Sequence, residues 1–238
     1  MPDLPQTEYL RVTRLHAFYG ESHILHGMDF IVNRGELVTL LGRNGAGRTT
    51  TVKSILGLVE KRSGSVMVNG RETIDWPAHR IARLGVGYCP EERGIFASLT
   101  TEENLLLPPV LSSEGMRVDE IYAMFPNLKE RRRSQGSRLS GGEQQMLAMA
   151  RILRTGARLL LLDEVSEGLA PVLAERLSQV IAELKQRGFT IVLVEQNFRF
   201  ASLLADRMYV VERGRIVLEI KEGQLGENKE TVERLLGV

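Results

Sequence analysis

Apolar and polar positions alternate from about Leu10 to Val32 on either side of a turn at Tyr19-Gly20-Glu21-Ser22. A period of two predicts a pair of antiparallel strands, each with one face toward a core. The pattern then changes. Leu37-Val38-Thr39-Leu40-Leu41 is an unbroken apolar run, followed by a Gly-rich stretch and a helix predicted from Thr50 to Leu56. Gly64 to Gly70 reads as a short strand and turn, and Pro77 to Arg83 as a short helix with proline near its start. Val86 to Cys89 is a strand stopped by Pro90.

From about Glu91 to Ser140 the pattern turns helical. Thr100 and Glu103 have capping-box spacing ahead of Leu105-Leu106-Leu107, and Pro108-Pro109 ends that helix. Arg117 to Phe125 is a second amphipathic segment. A helix is predicted from Ser140 to Arg154 with Gly156 closing it, then a continuous apolar strand from Arg158 to Leu162. Pro171 to Arg187 is a long amphipathic helix ended by Gly188, and Phe189 to Val194 another buried strand. Arg207 to Leu218 reads as a hairpin turning at Arg213-Gly214, and the tail from Glu222 to Val238 as weakly helical. Strands alternating with helices predict an α/β fold around a parallel sheet. The expected division is a core of residues 1–90 and 149–238 with a helical insertion of residues 91–148.

Length and composition narrow this. The chain has 238 residues, enough for one large α/β domain with an insertion or two small domains. Hydrophobic residues make up 43% and charged residues 26%, the balance of an ordinary globular protein. A net charge of +1 gives no support to a nucleic-acid partner, so Lys129-Glu130-Arg131-Arg132-Arg133 reads as a solvated helix end. The single cysteine, Cys89, excludes an internal disulfide framework; it reads as a buried small hydrophobe or, alternatively, a reactive thiol. No apolar run reaches the ~18–20 residues of a membrane span, and Met1 to Glu8 lacks a signal-peptide layout. The expectation is a cytoplasmic protein that meets a membrane only through a partner. His16, His23, His26 and His79 have no metal-ligand spacing and read as structural.

The candidate chemistry lies in three motifs. Gly42-Arg43-Asn44-Gly45-Ala46-Gly47-Arg48-Thr49-Thr50 joins a strand to a helix. Its glycines allow successive backbone N–H groups to turn inward as an anion nest, at a helix N-terminus that adds positive potential. Thr49 stands where a hydroxyl would ligand Mg²⁺. Leu159-Leu160-Leu161-Leu162-Asp163-Glu164 is a buried strand ending in two acids. Asp163 can hold Mg²⁺, and Glu164 can orient or deprotonate a water attacking a γ-phosphate; alone, both read equally as solvated turn acids. Leu139-Ser140-Gly141-Gly142-Glu143-Gln144-Gln145 opens a helix. Ser140 can cap it, but a cap does not explain adjacent glycines; bared N–H groups offered to an anion do. Two phosphate-binding elements in one chain need not face one phosphate, whereas a head-to-tail dimer would close each over the other.

This motif set resembles the ATP-binding subunits of ABC transporters, over nearly the whole chain. The implied fold is a P-loop NTPase of ABC type, with a RecA-like parallel-sheet core, an N-terminal antiparallel β subdomain and a helical signature subdomain. Ser166-Glu167-Gly168-Leu169-Ala170-Pro171 after the acids, and Val194-Glu195-Gln196-Asn197, resemble branched-chain amino acid (Liv-type) importers. Tyr19 to Leu25 is similar to the related urea-importer ATPases. The resemblance implies ATP and Mg²⁺ as cofactors. Its partners would be transmembrane permease subunits, a second ATP-binding subunit and, indirectly, a periplasmic solute-binding protein. It places Tyr19 on adenine, or as a strand-edge aromatic; Glu91 at the Q-loop position, within reach of Mg²⁺; Gln196 at the switch-histidine position; and Ser166 to Leu169 at the dimer seam. Ile95 and Phe96 would face a permease, or form ordinary core.

Two positions depart from the family pattern. Arg48 replaces the phosphate-binding lysine and Val165 the proline after the acids. Guanidinium keeps the charge of lysine but not its compact shape. One misfitted charge-assisted hydrogen bond is worth roughly 1.5–3 kcal/mol, and a 1 Å error in phosphate position could cost about 10²-fold in turnover. Two readings stay open: an active transport ATPase, or an ATP-binding subunit that hydrolyses weakly beside an active partner. A soluble ABC protein of translation or repair is disfavoured by a single short cassette.

Overall fold

The computed structural model describes residues 8–221 and 223–237. The reading of Met1 to Glu8 falls largely outside them, as do Glu222 and Val238 at the two ends of the predicted tail helix.

The N-terminal alternation forms the long antiparallel pair β1 (Glu8–Tyr19) and β2 (Ser22–Asn33). With β4 (Lys61–Val68) and β5 (Arg71–Glu72) they make a four-stranded sheet in the order β2-β1-β4-β5. Its inward residues, among them Leu10, Val12, Leu15, Leu25 and Phe30, share one core with the second sheet.

That second sheet contains β3 (Leu37–Gly42), β6 (Val86–Cys89), β7 (Leu159–Asp163), β8 (Thr190–Glu195), β9 (Arg207–Glu212) and β10 (Arg215–Lys221), ordered β10-β9-β3-β8-β7-β6. All pairs are parallel except the closing β9–β10 hairpin. Every residue of β3, β7 and β8 is buried, which is why these strands read as unbroken apolar runs. The parallel order aligns the carboxyl ends of β3, β8, β7 and β6 on one edge, where open α/β sheets bind ligands. The Gly-rich loop, Glu195-Gln196, Asp163-Glu164 and Cys89-Pro90-Glu91 all leave the sheet there.

The helices are α1 (Arg48–Ile55), α2 (Ala78–Ala82), α3 (Thr101–Leu106), α4 (Val118–Met124), α5 (Pro126–Glu130), α6 (Gly141–Arg154), α7 (Pro171–Gln186), α8 (Phe198–Ser202) and α9 (Leu225–Leu236). The α3–α5 group packs on α6 and α7 through Leu105, Ile121, Phe125, Leu128, Met146 and Leu177. Helix α6 runs unbroken across positions 148 and 149, so the insertion and the core share one rod. Helix α1 starts two residues earlier than the hydrophobic pattern places it, and α8 was not legible because five residues are too few for a helical period. The basic run ends α5, with Lys129 and Arg131 to Arg133 exposed, as expected. Cys89 is buried, and burial pushes its thiol up to about 12, which leaves the inert reading and removes the reactive one. Val165 is buried among the side chains between sheet and insertion.

Candidate nucleotide site

The Gly-rich loop folds as its residue types require. Gly45 and Gly47 hold positive φ of 79° and 106°, and Gly47 is also pressed against its surroundings. A Cβ there would lie 2.9 Å from Leu25 Cδ2 and 3.3 Å from Gly214 Cα. The loop is pinned by Ala46 N–H donating to the Arg43 carbonyl (3.0 Å) and Gly214 N–H donating to the Ala46 carbonyl (2.8 Å). The first helical bond of α1 is Thr51 N–H to the Gly47 carbonyl, so the N–H groups of Arg48, Thr49 and Thr50 precede the ladder and are available to an anion. A cavity of about 270 Å³ opens here, lined by Ile24, residues 45–50 and Glu164.

Behind the loop, Thr49 Oγ1 donates to Asp163 Oδ1 at 3.0 Å, and the Tyr88 hydroxyl donates to Asp163 Oδ2 at 3.1 Å. Burial raises the Asp163 carboxyl above the ordinary aspartate range, and the two hydroxyl donors oppose that shift. A hydroxyl and a buried carboxylate form an all-oxygen set suited to a hard divalent cation such as Mg²⁺. Glu91 groups differently from Thr49 and Asp163. Its carboxylate lies with those of Glu164 and Glu167, one oxygen of each within 4.8 Å of the others. Sequence reasoning missed Tyr88 and read Glu167 only as part of the dimer seam. The parallel pairing of β6 with β7 brings Tyr88 beside the strand that ends in Asp163, and no local motif signals it.

Arg48 is almost fully buried, 3% exposed. Its Nη2 meets Glu164 Oε1 at 2.5 Å and Asn44 Oδ1 at 3.4 Å, while Nη1 donates to the Glu195 carbonyl at 3.3 Å. The guanidinium thus spans three strand-end elements. Glu164 has φ 49°, the left-handed region that a non-glycine residue occupies only when the surrounding structure imposes it. A hydrogen bond with Glu164, with burial added, lifts the Glu167 carboxyl to about 7. Burial also lifts Glu195 to about 7, against the Ser166 N–H that donates to it. Gln196 is exposed beside them, on the wall of a second cavity of about 650 Å³ shared with Glu164, Ser166 and Glu167. Tyr19 ends β1 half exposed, and the Arg43 side chain lies against Gly237 at the C-terminal end of α9.

The serine-glycine element stands apart; Ser140, Gly141 and Gly142 do not line either cavity. Ser140 and Glu143 form a reciprocal capping box at the start of α6. The two glycines have neighbours that the sequence reading lacked. A Cβ on Gly141 would sit 3.1 Å from the Arg93 guanidinium, and one on Gly142 would sit 2.5 Å from Leu173 Cδ1. Close approach of Leu173 therefore gives Gly142 a packing reason within one chain, whereas Gly141 meets only the flexible end of Arg93. His16, His23 and His26 gather on β1 and β2, with His16 Nδ1 and His23 Nε2 at 3.1 Å, and His23 stacked on Phe18.

A glycine cradle, an acid pair at the end of the neighbouring apolar strand and a capped serine-glycine helix between them in sequence match a known arrangement. The family model for ABC transporters matches residues 25–167. The chain belongs to the ABC transporter family. This ABC cassette is 39% identical to the high-affinity branched-chain amino acid transport ATP-binding protein BraG of Pseudomonas aeruginosa, over 96% of this chain and 99% of the relative. It is 36% identical to the probable branched-chain amino acid transport ATP-binding protein LivF of Archaeoglobus fulgidus, over 96% and 99%. Among solved structures, a nucleotide-free ATP-binding cassette of an ABC transporter shares the fold with a TM-score of 0.84 at 21% identity, covering 97% of this chain and 99% of that one. The expected P-loop NTPase fold with its antiparallel subdomain is the observed one. No helix among the described residues is long and apolar enough to cross a membrane.

Proposed function

We propose that this chain is the ATP-binding and ATP-hydrolysing subunit of an importer for branched-chain or other amino acids. The observation that carries the reading is the convergence of the cradle, the Thr49–Asp163 pair and Glu164 on one edge of the sheet. ATP would lie with its phosphates on the N–H groups of Arg48, Thr49 and Thr50 and its adenine toward Tyr19. Thr49 and Asp163 would hold Mg²⁺, which would offset charge on the phosphates, with Glu91 standing apart beside Glu164 and Glu167. Glu164 would take a proton from the water that attacks the γ-phosphorus as the bond to the ADP oxygen breaks, and Gln196 would donate to a γ-phosphate oxygen. Ser140, Gly141 and Gly142 would close over the nucleotide of a second cassette, a reading supported by their absence from the linings of the two cavities at the sheet edge.

The names of the two bacterial and archaeal relatives support the amino-acid cargo. Cargo would bind elsewhere, in a periplasmic protein and permease subunits that seat this chain on the cytoplasmic face of the membrane. The surface for the permease would be the exposed apolar group Phe96, Leu106, Leu107, Val110 and Leu111. Buried Asn104 clips the Phe96 segment to α3, bonding both the N–H and the carbonyl of Phe96. Ile95 packs partly into the core, so Phe96 is the residue of the two presented outward.

A second reading, an ATP-binding subunit that hydrolyses weakly beside an active partner, draws support from the engagement of Glu164 by Arg48. Steady-state phosphate release by the purified protein and by Arg48→Lys separates the two. The active reading expects measurable wild-type turnover, with lysine raising it by up to about 10²-fold. Undetectable wild-type turnover beside a clear gain in the lysine variant establishes the second reading instead.

A further inference from the structure

We infer that Arg48 is a positioning residue for Glu164 through an exchangeable clamp: the guanidinium holds the Glu164 carboxylate until a nucleotide phosphate takes its place. This rests on the nucleotide reading of the cavity and adds a linkage to it. Arg48 and Glu164 both line the cavity of the Gly-rich loop. They form a close ion pair at 2.5 Å, with side chains 3% and 11% exposed. Breaking such a pair without replacement leaves a buried charge uncompensated, so the pair persists while no other anion is present. A phosphate entering the cradle is such an anion, and it approaches the guanidinium from the side of the free N–H groups. The Nη2 group that serves Glu164 is also the one within reach of Asn44. Both N–H bonds of Nη2 are thus engaged, so an incoming phosphate must displace one partner, and its like charge drives off the Glu164 carboxylate rather than the neutral Asn44 amide. The exchange therefore swaps one charge-assisted partner for another and sets Glu164 free at the moment substrate arrives.

The shape of arginine matters here. Its fork reaches the Glu195 carbonyl with Nη1 and Glu164 with Nη2 at the same time. A lysine ammonium is a single point charge and cannot bridge the ends of β8 and β7 in this manner. By thermodynamic reciprocity, whatever strengthens the clamp weakens nucleotide binding by the same factor, and the converse. A purely structural ion pair would carry no such linkage.

A double-mutant cycle at positions 48 and 164 tests the inference. ATP affinity is measured by calorimetry without Mg²⁺, at protein concentrations where light scattering shows monomer both before and after ATP is added. Glu164→Gln loosens the clamp and also removes one negative charge from the cavity. The charge effect acts whichever residue occupies position 48; the clamp effect needs arginine. The expected result is a gain in ATP affinity of about tenfold or more for Glu164→Gln in the arginine protein, and about threefold or less in the Arg48→Lys background. Equal gains in both backgrounds overturn the clamp. As a second readout, the coupling between the two positions in urea unfolding should be present without nucleotide and vanish at saturating ATP; coupling that survives ATP also overturns it. A wild-type protein that binds no ATP rejects the nucleotide reading itself, a result distinct from either outcome.

Discussion

Glu195 shows how one buried residue, beside the similarly raised Glu167, contributes to the pH response of stability. Burial places its carboxyl at about 7, above the ordinary 4.5. The folded state therefore holds this proton more tightly than the unfolded chain does. Between about pH 4.5 and pH 7 the unfolded form gives up the proton first, so stability falls as pH rises through this window. The shift corresponds to about 3 kcal/mol of destabilisation once pH is well above 7. Glu195→Gln keeps an acceptor for the Ser166 N–H and removes the charge. It should reduce the decline between pH 5 and pH 8, leaving the part due to Glu167, and be more stable than wild type at pH 8, by urea unfolding at each pH. An unchanged slope would show that Glu195 does not titrate in this range. Arg48 belongs to the same scale. Its identity is plain in the sequence, but the partner that gives it meaning lies 116 positions away and is visible only once β3 and β7 are set in one sheet.

Among the elements, α6 is the one that the sequence described well and explained badly. The Ser140–Glu143 capping box is a local pattern, and it formed. The glycines after it read as an open anion site from the sequence, and the fold adds a packed neighbour, Leu173, at Gly142 and only the flexible end of Arg93 at Gly141. Gly142→Ala places a methyl 2.5 Å from Leu173 Cδ1, an overpacking that should cost about 1–3 kcal/mol. Adding Leu173→Ala to Gly142→Ala should recover part of that loss in urea or thermal unfolding, although Leu173→Ala alone destabilises. Strict additivity of the two would place the strain elsewhere. The helices α2, α5 and α8 have five residues each, too few to show a period; proline at its start made α2 legible, and of the three only α8 has a side-chain cap, Asn197 Oδ1 accepting from the Phe200 N–H.

At the scale of the whole molecule, the serine-glycine tip lines neither the cradle cavity nor the cavity beside it, which under the proposed function makes the cassette half of a site. Two copies, or one copy and a related subunit, would complete it. Glu164→Gln with ATP and Mg²⁺ should move from monomer to dimer in size-exclusion chromatography with light scattering. Gly141→Asp, added to it, should abolish the dimer and leave ATP binding by the monomer within about threefold. The neighbour crowding Gly141 is the flexible end of Arg93, so this change should perturb the fold little. A dimer that ignores Gly141→Asp would mean that the tip does not meet the nucleotide.

Periodicity and turn chemistry determined the α/β class, the long N-terminal hairpin, the buried strands and the identities of the cradle, the acid pair and the serine-glycine helix, because each is written within a dozen neighbouring residues. Tertiary structure alone decided the partnerships: Arg48 with Glu164, Tyr88 with Asp163, Glu91 with Glu164 and Glu167, and the packing reason for Gly142. Those contacts depend on strand order and on which side chains meet at the sheet edge. The order β3-β8-β7-β6 is a global solution to burying several apolar strands at once, and no single stretch of the chain specifies it.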